Sequence, residues 1–210
     1  MNLKIRILKL GIVFAGTALM GIGVTLFILS GQGIDPLSTM LAGFVRYLPM
    51  DLGTMISLFN MSVLGLSALV NHNYIGIGSI INAIFVGVFT NLWMDILMPF
   101  AGLPHFVMVA LAIFAFTLGI AVYMKGNLGF GPVEAMMNIL VDHTPLDIRK
   151  SRLILDMSYI IIGILLGAPY GYGTVLSAIL ISPLIGSFSN IIDSLKQVEF
   201  VRRQVKNVLS

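Results

Sequence analysis

Two short stretches decide how this chain folds: Gly31-Gln-Gly-Ile-Asp-Pro36 and Gly126-Asn-Leu-Gly-Phe-Gly-Pro132. Glycine adopts backbone conformations that break a helix, and proline is favoured at the first position of the next one. The apolar segments that follow, 35–48 and 131–143, have only about 14 residues each, which reach roughly 20 Å against a bilayer core of about 30 Å. We therefore predict a short helix after each break, either re-entrant or lying at an interface.

The composition is typical of a protein that resides in a membrane. Hydrophobic residues make up 58% of the 210 positions and charged residues 10%, too few to cover a soluble globule of this size. The twelve Lys and Arg fall in short stretches between apolar runs, so the net charge of +3 reflects orientation in the membrane and implies no nucleic-acid partner. With no Cys, disulfides and thiolate sites are excluded, and we expect lipid as the main surroundings.

Six further segments are apolar over the length of about 20 residues that a membrane-spanning helix needs. They are 10–29, 52–70, 75–94, 106–124, 153–173 and 174–192. Inside these segments an acid occurs in the fifth, Asp156, and the other five contain no charged residue. The sequence therefore predicts an all-α polytopic membrane protein of six transmembrane helices with two short broken or re-entrant helices.

The two halves of the chain match each other when shifted by the distance from Gly33 to Gly129. The positions kept by that shift include glycines, prolines and acids, which are hard to match by chance: Gly33 with Gly129, Pro36 with Pro132, Pro49 with Pro145, and Asp51 with Asp147. After a slip of one residue, Gly76-Ile-Gly-Ser79 matches Gly171-Tyr-Gly-Thr174. We predict two repeats, 1–103 with the short helix 35–48 and 104–194 with the short helix 131–143, and a basic cytoplasmic tail, 195–210.

Three spans in each repeat reverse the second repeat relative to the first, which is the inverted topology of many secondary transporters. Loops rich in Lys and Arg stay inside, so we expect a bacterial cytoplasmic (inner) membrane location with both termini cytoplasmic and only Arg46 outside. If both short helices spanned, the chain would cross eight times with parallel repeats. Arg46 and Lys125 would then exchange sides, so the charge tally does not separate six spans from eight.

The two helix starts are the candidate functional site. A helix that begins within a membrane directs free N–H groups and a partial positive charge at whatever precedes it. Asp35 stands at the predicted N-cap and Glu134 at the third helical position, and two interpretations remain open: these acids cap their helices, or they also face a cavity that takes a cation or a zwitterion. Beside the two acids, the candidate substrate-binding residues at the starts are Gly33, Pro36, Ser38, Gly129, Gly131 and Pro132.

Three polar positions inside the spans complete the candidate set. Asp156 is an acid within a span, which is functional by default, yet Arg152 one turn earlier can neutralise it in a simple ion pair. Asn60 occupies the matching position in the first repeat, so a lining role is also open. Asn82 belongs to a polar scatter in the third span, for which interhelical hydrogen bonds are the simpler interpretation.

The sequence contains no enzyme signature, and we predict no catalytic residue, cofactor or metal site. The three histidines lie singly at span ends, and there is no zinc-protease, nucleophile-elbow or phosphate-loop motif. The first hypothesis is a transporter or substrate-binding membrane subunit for a small cationic or zwitterionic solute. The alternative is a non-transporting accessory protein that packs against a membrane partner or a second copy through small-residue faces such as Gly163-x-x-x-Gly167.

The sequence resembles the YczE/YitT-like family of bacterial integral membrane proteins in three segments. These are the break of the second half, the Gly33-Ile-Asp-Pro36 of the first half and the later Tyr170-Gly-Tyr-Gly-Thr174. The resemblance covers the chain from about Gly21 to Pro183. This sequence has Gln32 where the family motif prefers Leu, and Glu134 where Asp often stands. The resemblance implies a polytopic membrane protein with this topology, and it implies no substrate.

Overall fold

The computed structural model describes residues 3–208, with the side chains of residues 3–195. Within that part the chain forms eight α-helices joined by short turns and no β-strand. The helices are α1 (Leu3–Ser30), α2 (Pro36–Val45), α3 (Leu52–Val70), α4 (Ile77–Leu97), α5 (His105–Gly126), α6 (Pro132–His143), α7 (Ile148–Leu165) and α8 (Tyr172–Val208). The all-α class predicted from the sequence is confirmed.

Three helix starts have an aspartate as N-cap, and for Asp35 this confirms the predicted position. The side chains of Asp35, Asp51 and Asp147 accept N–H groups of the first turns of α2, α3 and α7. Pro36 and Pro132 occupy the first positions of α2 and α6, where a missing N–H costs nothing. The two short helices, of 10 and 12 residues, therefore begin where the sequence predicts them, whereas α2 ends at Val45, before the predicted end at residue 48.

Each break contains a glycine in the left-handed backbone region. The φ angle is +89° at Gly33 and +111° at Gly129, which a residue with a Cβ adopts only with strain. Five helices are long and apolar enough to cross a membrane: α1, α3, α4 with the turn that follows it, α5, and α8 up to Leu195. These five make the chain a multi-pass membrane protein.

Helix α7 differs from the fifth predicted span, 153–173. It begins at Ile148 because Asp147 caps it there, and it ends at Leu165 where the chain enters the turn of Gly167, whose φ is +77°. The helix thereby includes Arg149, Lys150, Arg152 and Asp156, so it is not among the five apolar spans. The count of six spans stays a prediction.

The first helices of the two halves pack against each other at the centre. Glycines allow this close approach, since a Cβ on Gly16 would lie 2.7 Å from the backbone oxygen of Gly119, and one on Gly23 would lie 2.7 Å from the backbone nitrogen of Phe116. α4 flanks α1 and α8 flanks α5. The short helices cross between halves, because α2 packs against α7 and α6 packs against α3.

One backbone hydrogen bond joins each break to a helix start in the other half. The N–H of Gly173 donates to the carbonyl of Gln32 at 2.8 Å, and the N–H of Gly78 donates to the carbonyl of Leu128, also at 2.8 Å. Gln32 and Leu128 are equivalent under the shift that matches the two halves. The Gly-x-Gly turn that opens α8 thus binds the first break, and the Gly-x-Gly turn that opens α4 binds the second.

The last helix, α8, runs without interruption through the predicted boundary at residue 195. The sequence-based division into a span, 174–192, and a tail, 195–210, therefore does not coincide with a helix end. The basic side chains of the tail, Lys196, Arg202, Arg203 and Lys206, lie outside the described side chains. The tail's predicted role at the membrane surface stays a prediction.

Candidate functional site

A cavity of about 50 Å³ lies where the starts of α2 and α6 meet the central helices. All eight helices contribute to its wall, with apolar side chains from α1, α5 and α8 on one part. Its polar wall consists of Asp35, Ser38, Asn60, Asn82, Glu134, Arg152 and Asp156. At roughly 10–15 Å³ for each water-sized occupant, the space holds a few waters or a small solute.

Asp35 both caps α2 and faces the cavity. Its Oδ1 accepts the N–H of Ser38 at 3.2 Å, while its buried Oδ2 has no hydrogen-bond partner among the described residues. The residue is only 4% exposed. The two sequence-based interpretations of Asp35 are therefore compatible, because one oxygen serves the helix and the other remains unused beside the cavity.

The start of α6 is built differently. Gly131 stands at the N-cap and supplies no side-chain cap, and Glu134 in the first turn is 8% exposed. The Oε1 of Glu134 lies 3.8 Å from Nη1 of Arg152 on α7. The acid of the second helix start is thus directed toward a charge on another helix.

Arg152 connects two carboxylates at the cavity wall. Its Nε donates to Oδ2 of Asp156 at 3.1 Å, which is the ion pair of one helical turn expected from the sequence. The contact with Glu134 was not predicted, and Arg152 was not among the predicted site residues. A charge cluster at the start of an otherwise apolar segment was the available signal, but spacing along one helix says nothing about a partner on α6.

The two amides occupy different environments. Asn82 donates from Nδ2 to Oγ1 of Thr17 and lies equally close to Sδ of Met20, both on α1, at 3.4 Å, so it makes the expected interhelical contacts while lining the cavity. Asn60 is 4% exposed, and its Oδ1 has no partner within the described part of the chain. A second unused acceptor therefore belongs to the cavity wall.

Eight of the predicted site residues line the cavity: Asp35, Pro36, Ser38, Asn60, Asn82, Pro132, Glu134 and Asp156. The three predicted glycines do not. Gly33 packs against Gly171 and Thr174, Gly129 packs against Gly76 and Ser79, and Gly131 lies beside Glu134. These glycines shape the helix starts, and the binding role assigned to the whole set stays a prediction.

The charges at the wall do not balance. Among the described side chains of the wall, Asp35, Glu134 and Asp156 oppose only Arg152, which leaves a formal excess of two negative charges if all are ionised. Among the described residues, no group of three or more His, Asp or Glu is arranged to hold a metal ion. Burying uncompensated charge within a membrane is costly, so the geometry suits a positively charged group.

Helix lengths, hydropathy and a charged internal cavity define a multi-pass α-helical membrane protein with a polar site between its helices. The chain belongs to a family described as "Family of unknown function (DUF6198)", whose pattern matches residues 7–190. The resemblance to YczE-like membrane proteins inferred from the two breaks is confirmed by this match and by a relative of that name.

Three relatives align along most of this chain. An "Uncharacterized protein" of Haemophilus influenzae is 28% identical over 192 residues, which cover 91% of this chain and 88% of the relative. The "Uncharacterized membrane protein YczE" of Bacillus subtilis is 24% identical over 170 residues, covering 80% and 79%. The "Uncharacterized protein YyaS" of the same organism is 22% identical over 182 residues, covering 85% and 90%. No solved structure matches the chain.

Proposed function

We propose that this protein binds a small cationic or zwitterionic solute in the cavity between the two helix starts and moves it across the bacterial cytoplasmic membrane. The observation that carries the proposal is an internal cavity whose three carboxylates face a single guanidinium. A cation would offset the negative excess at a depth where water cannot do so. The proposal assigns no catalytic role and no cofactor to these residues.

The proposed architecture is a pair of inverted repeats with six spans, in which the charged helix α7 is the remaining span. Three cross-half relationships support it: the contact of α1 with α5, the crossed packing of α2 on α7 and of α6 on α3, and the matched hydrogen bonds to Gln32 and Leu128. The excess of Lys and Arg in the loops supports cytoplasmic termini.

Transport is favoured over passive binding by the place of the cavity in this architecture. Many secondary transporters hold their solute near mid-membrane, at the interface of two repeats, beside the starts of interrupted helices. Here the starts of α2 and α6 both contribute acids to one cavity, and each break contacts the opposite half. A relative movement of the halves would therefore act directly on the solute site.

The alternative, an accessory protein that packs on a membrane partner through small residues, has less support. The glycines that would form such a face are used inside the chain, with Gly16 and Gly119 between α1 and α5. Gly163, the first residue of the proposed dimer motif, packs against the backbone of Thr39 on α2. These glycines are therefore not available to a second protein.

The test is uptake by proteoliposomes that contain the purified full-length protein, with radiolabelled methylammonium and glycine as probes. We expect time-dependent uptake of at least one probe above protein-free vesicles. Replacement of Asp35 by Asn should reduce uptake severely, because it removes a cavity carboxylate while preserving a capping side chain. Asp193→Asn, which alters an exposed pair with Lys125 outside the cavity, is the matched control and should transport normally. Equal uptake by protein-free vesicles would contradict the proposal.

A further inference from the structure

Two residues of the cavity wall each have a buried side-chain oxygen without a partner among the described residues, and an ionised carboxylate or an amide oxygen can only accept hydrogen bonds. These oxygens are Oδ2 of Asp35 and Oδ1 of Asn60. Two other buried side-chain oxygens in the described part lack partners, those of Ser151 and Thr174, but neither residue lines the cavity. Leaving a buried acceptor without a donor costs free energy, and a charged acceptor costs more. An occupant that donates hydrogen bonds would remove this cost.

Within the described part of the chain, one positive side chain lines the cavity, and it already pairs with acids. Arg152 is bonded to Asp156 at 3.1 Å and lies 3.8 Å from Glu134, and it is only 12% exposed. The charge of Arg152 is already exceeded by those of Asp35, Glu134 and Asp156, so a solute carboxylate would add a fourth negative charge to the wall. A cation reduces the negative excess, whereas a zwitterion leaves it unchanged.

From these two observations we infer that the solute is a small organic cation with N–H donors, of the primary ammonium or guanidinium class. The cavity does not bind zwitterions. The N–H groups of the cation donate to Oδ2 of Asp35 and to Oδ1 of Asn60, and its charge offsets the negative excess of the wall. The inference rests on the proposed function, because it narrows the solute class for the same cavity. The volume of about 50 Å³ agrees with a compact cation of a few heavy atoms.

Binding can be measured without any transport step. The purified full-length protein, in detergent or in nanodiscs, is titrated with methylammonium, glycine or potassium while its thermal unfolding midpoint is followed. Methylammonium and glycine share the ammonium group and differ by a carboxylate, whereas potassium has the same charge as methylammonium and no N–H donor. We expect a saturable rise of the midpoint with methylammonium and with guanidinium at millimolar concentration, and none with glycine or potassium.

Substituted variants show which residues bind methylammonium. Asp35→Asn should weaken methylammonium binding roughly tenfold or more, because a charge-assisted hydrogen bond is lost while the helix cap is kept. Asn60→Leu, which removes the second acceptor at similar volume, should also weaken binding. Asp193→Asn should bind as the unaltered protein does. If Asn60→Leu does not fold, Asn60→Ser takes its place, because serine has a shorter acceptor and adds no apolar bulk.

Three results would overturn the inference: stabilisation by glycine equal to that by methylammonium, stabilisation by potassium equal to that by methylammonium, or no saturable stabilisation by either organic cation. The transport assay separates this inference from the proposed function. If methylammonium binds but is not moved across proteoliposomes, transport is wrong and the solute class stands. If glycine is moved and methylammonium is not, transport stands and the solute class is wrong.

Discussion

The carbonyl oxygen of Gln32 accepts a hydrogen bond from the backbone N–H of Gly173, 141 positions later in the chain, at 2.8 Å. This bond places the first break against the turn that opens α8. An acceptor within a membrane has no water to satisfy it, so such a bond is worth more there than at a soluble surface. The break is therefore stabilised by a residue of the opposite half.

Gly33 is expected to tolerate substitution poorly. Its φ of +89° is unfavourable for any residue with a Cβ, and that Cβ would lie 2.7 Å from the backbone nitrogen of Gly171. We predict that Gly33→Ala lowers the free energy of unfolding by about 3 kcal/mol, combining backbone strain with a clash. Reversible unfolding in mixed micelles measures the change.

The matched control for this prediction is Gly31→Ala. Gly31 also has positive φ, +64°, but a Cβ there would meet nothing within 4 Å. Its loss should be about 1 kcal/mol, from strain alone. Equal losses for the two variants would show that contact with the opposite half contributes nothing to the effect.

Removal of Arg152 is expected to destabilise the protein, since it leaves two acids unpaired at the cavity. We predict a loss of about 3 kcal/mol for Arg152→Met, the usual consequence of removing one partner from a buried ion pair. The double variant with Asp156→Asn should lose less than the sum of the single variants, which a double-mutant cycle measures. Lys150→Met, in an exposed pair with Asp147, should change stability little. Additive losses in the cycle would contradict the ion pair.

Stability at acid pH should depend on Asp51, which caps α3. The N–H of Thr54, together with the side chain of Asn91, lowers the pKa of this carboxyl below its ordinary value of 3.8. A group with a lowered pKa in the folded state contributes stability above the unfolded-state pKa and loses it as pH falls through the folded value. Between neutral pH and about pH 3, the unfolding midpoint of the unaltered protein should therefore fall more than that of Asp51→Asn. Parallel decreases for the two proteins would exclude this contribution.

The proposed six-span topology can be tested at two exposed turn residues. Tyr47 follows α2 and is 70% exposed, and Asn73 lies in the turn between α3 and α4. The chain has no native Cys, so single cysteines can be labelled without further substitution. With six spans, Tyr47→Cys should react with an impermeant thiol reagent from outside and Asn73→Cys only from inside. Eight spans would exchange the two results.

Local chemistry explains why the helix starts could be predicted. Proline at the first helical position and Asp at the N-cap act through the immediate backbone, so Asp35 with Pro36, and Pro132, predict the starts of α2 and α6 correctly. Helix α7 begins before the predicted span 153–173, because Asp147 caps it at Ile148. Its first turns contain Arg149 and Lys150, which are exposed, and Arg152, which pairs with Asp156 at 3.1 Å.

The sequence predicts where each residue of the candidate site lies on its own helix, but it does not predict contacts with other helices. The acids at positions 35 and 134 were placed by their relation to the breaks, and Asp156 with Arg152 by helical spacing. What the sequence does not contain is the crossed packing that brings α6 and α7 together, and with it the contact of Glu134 with Arg152. Contacts between helices depend on the whole fold, and periodicity along one helix carries no information about them.

The crossed arrangement of the breaks also constrains how the chain can be made. The first half of the chain is synthesised well before the ribosome reaches residue 173. The carbonyl of Gln32 therefore has no donor from Gly173 until most of the sequence has been translated. Until then, the hydrogen bond from Gly173 to the first break is absent. The first turn of α8 supplies the donor, so this bond between the halves can form only after α1 to α7 have been synthesised.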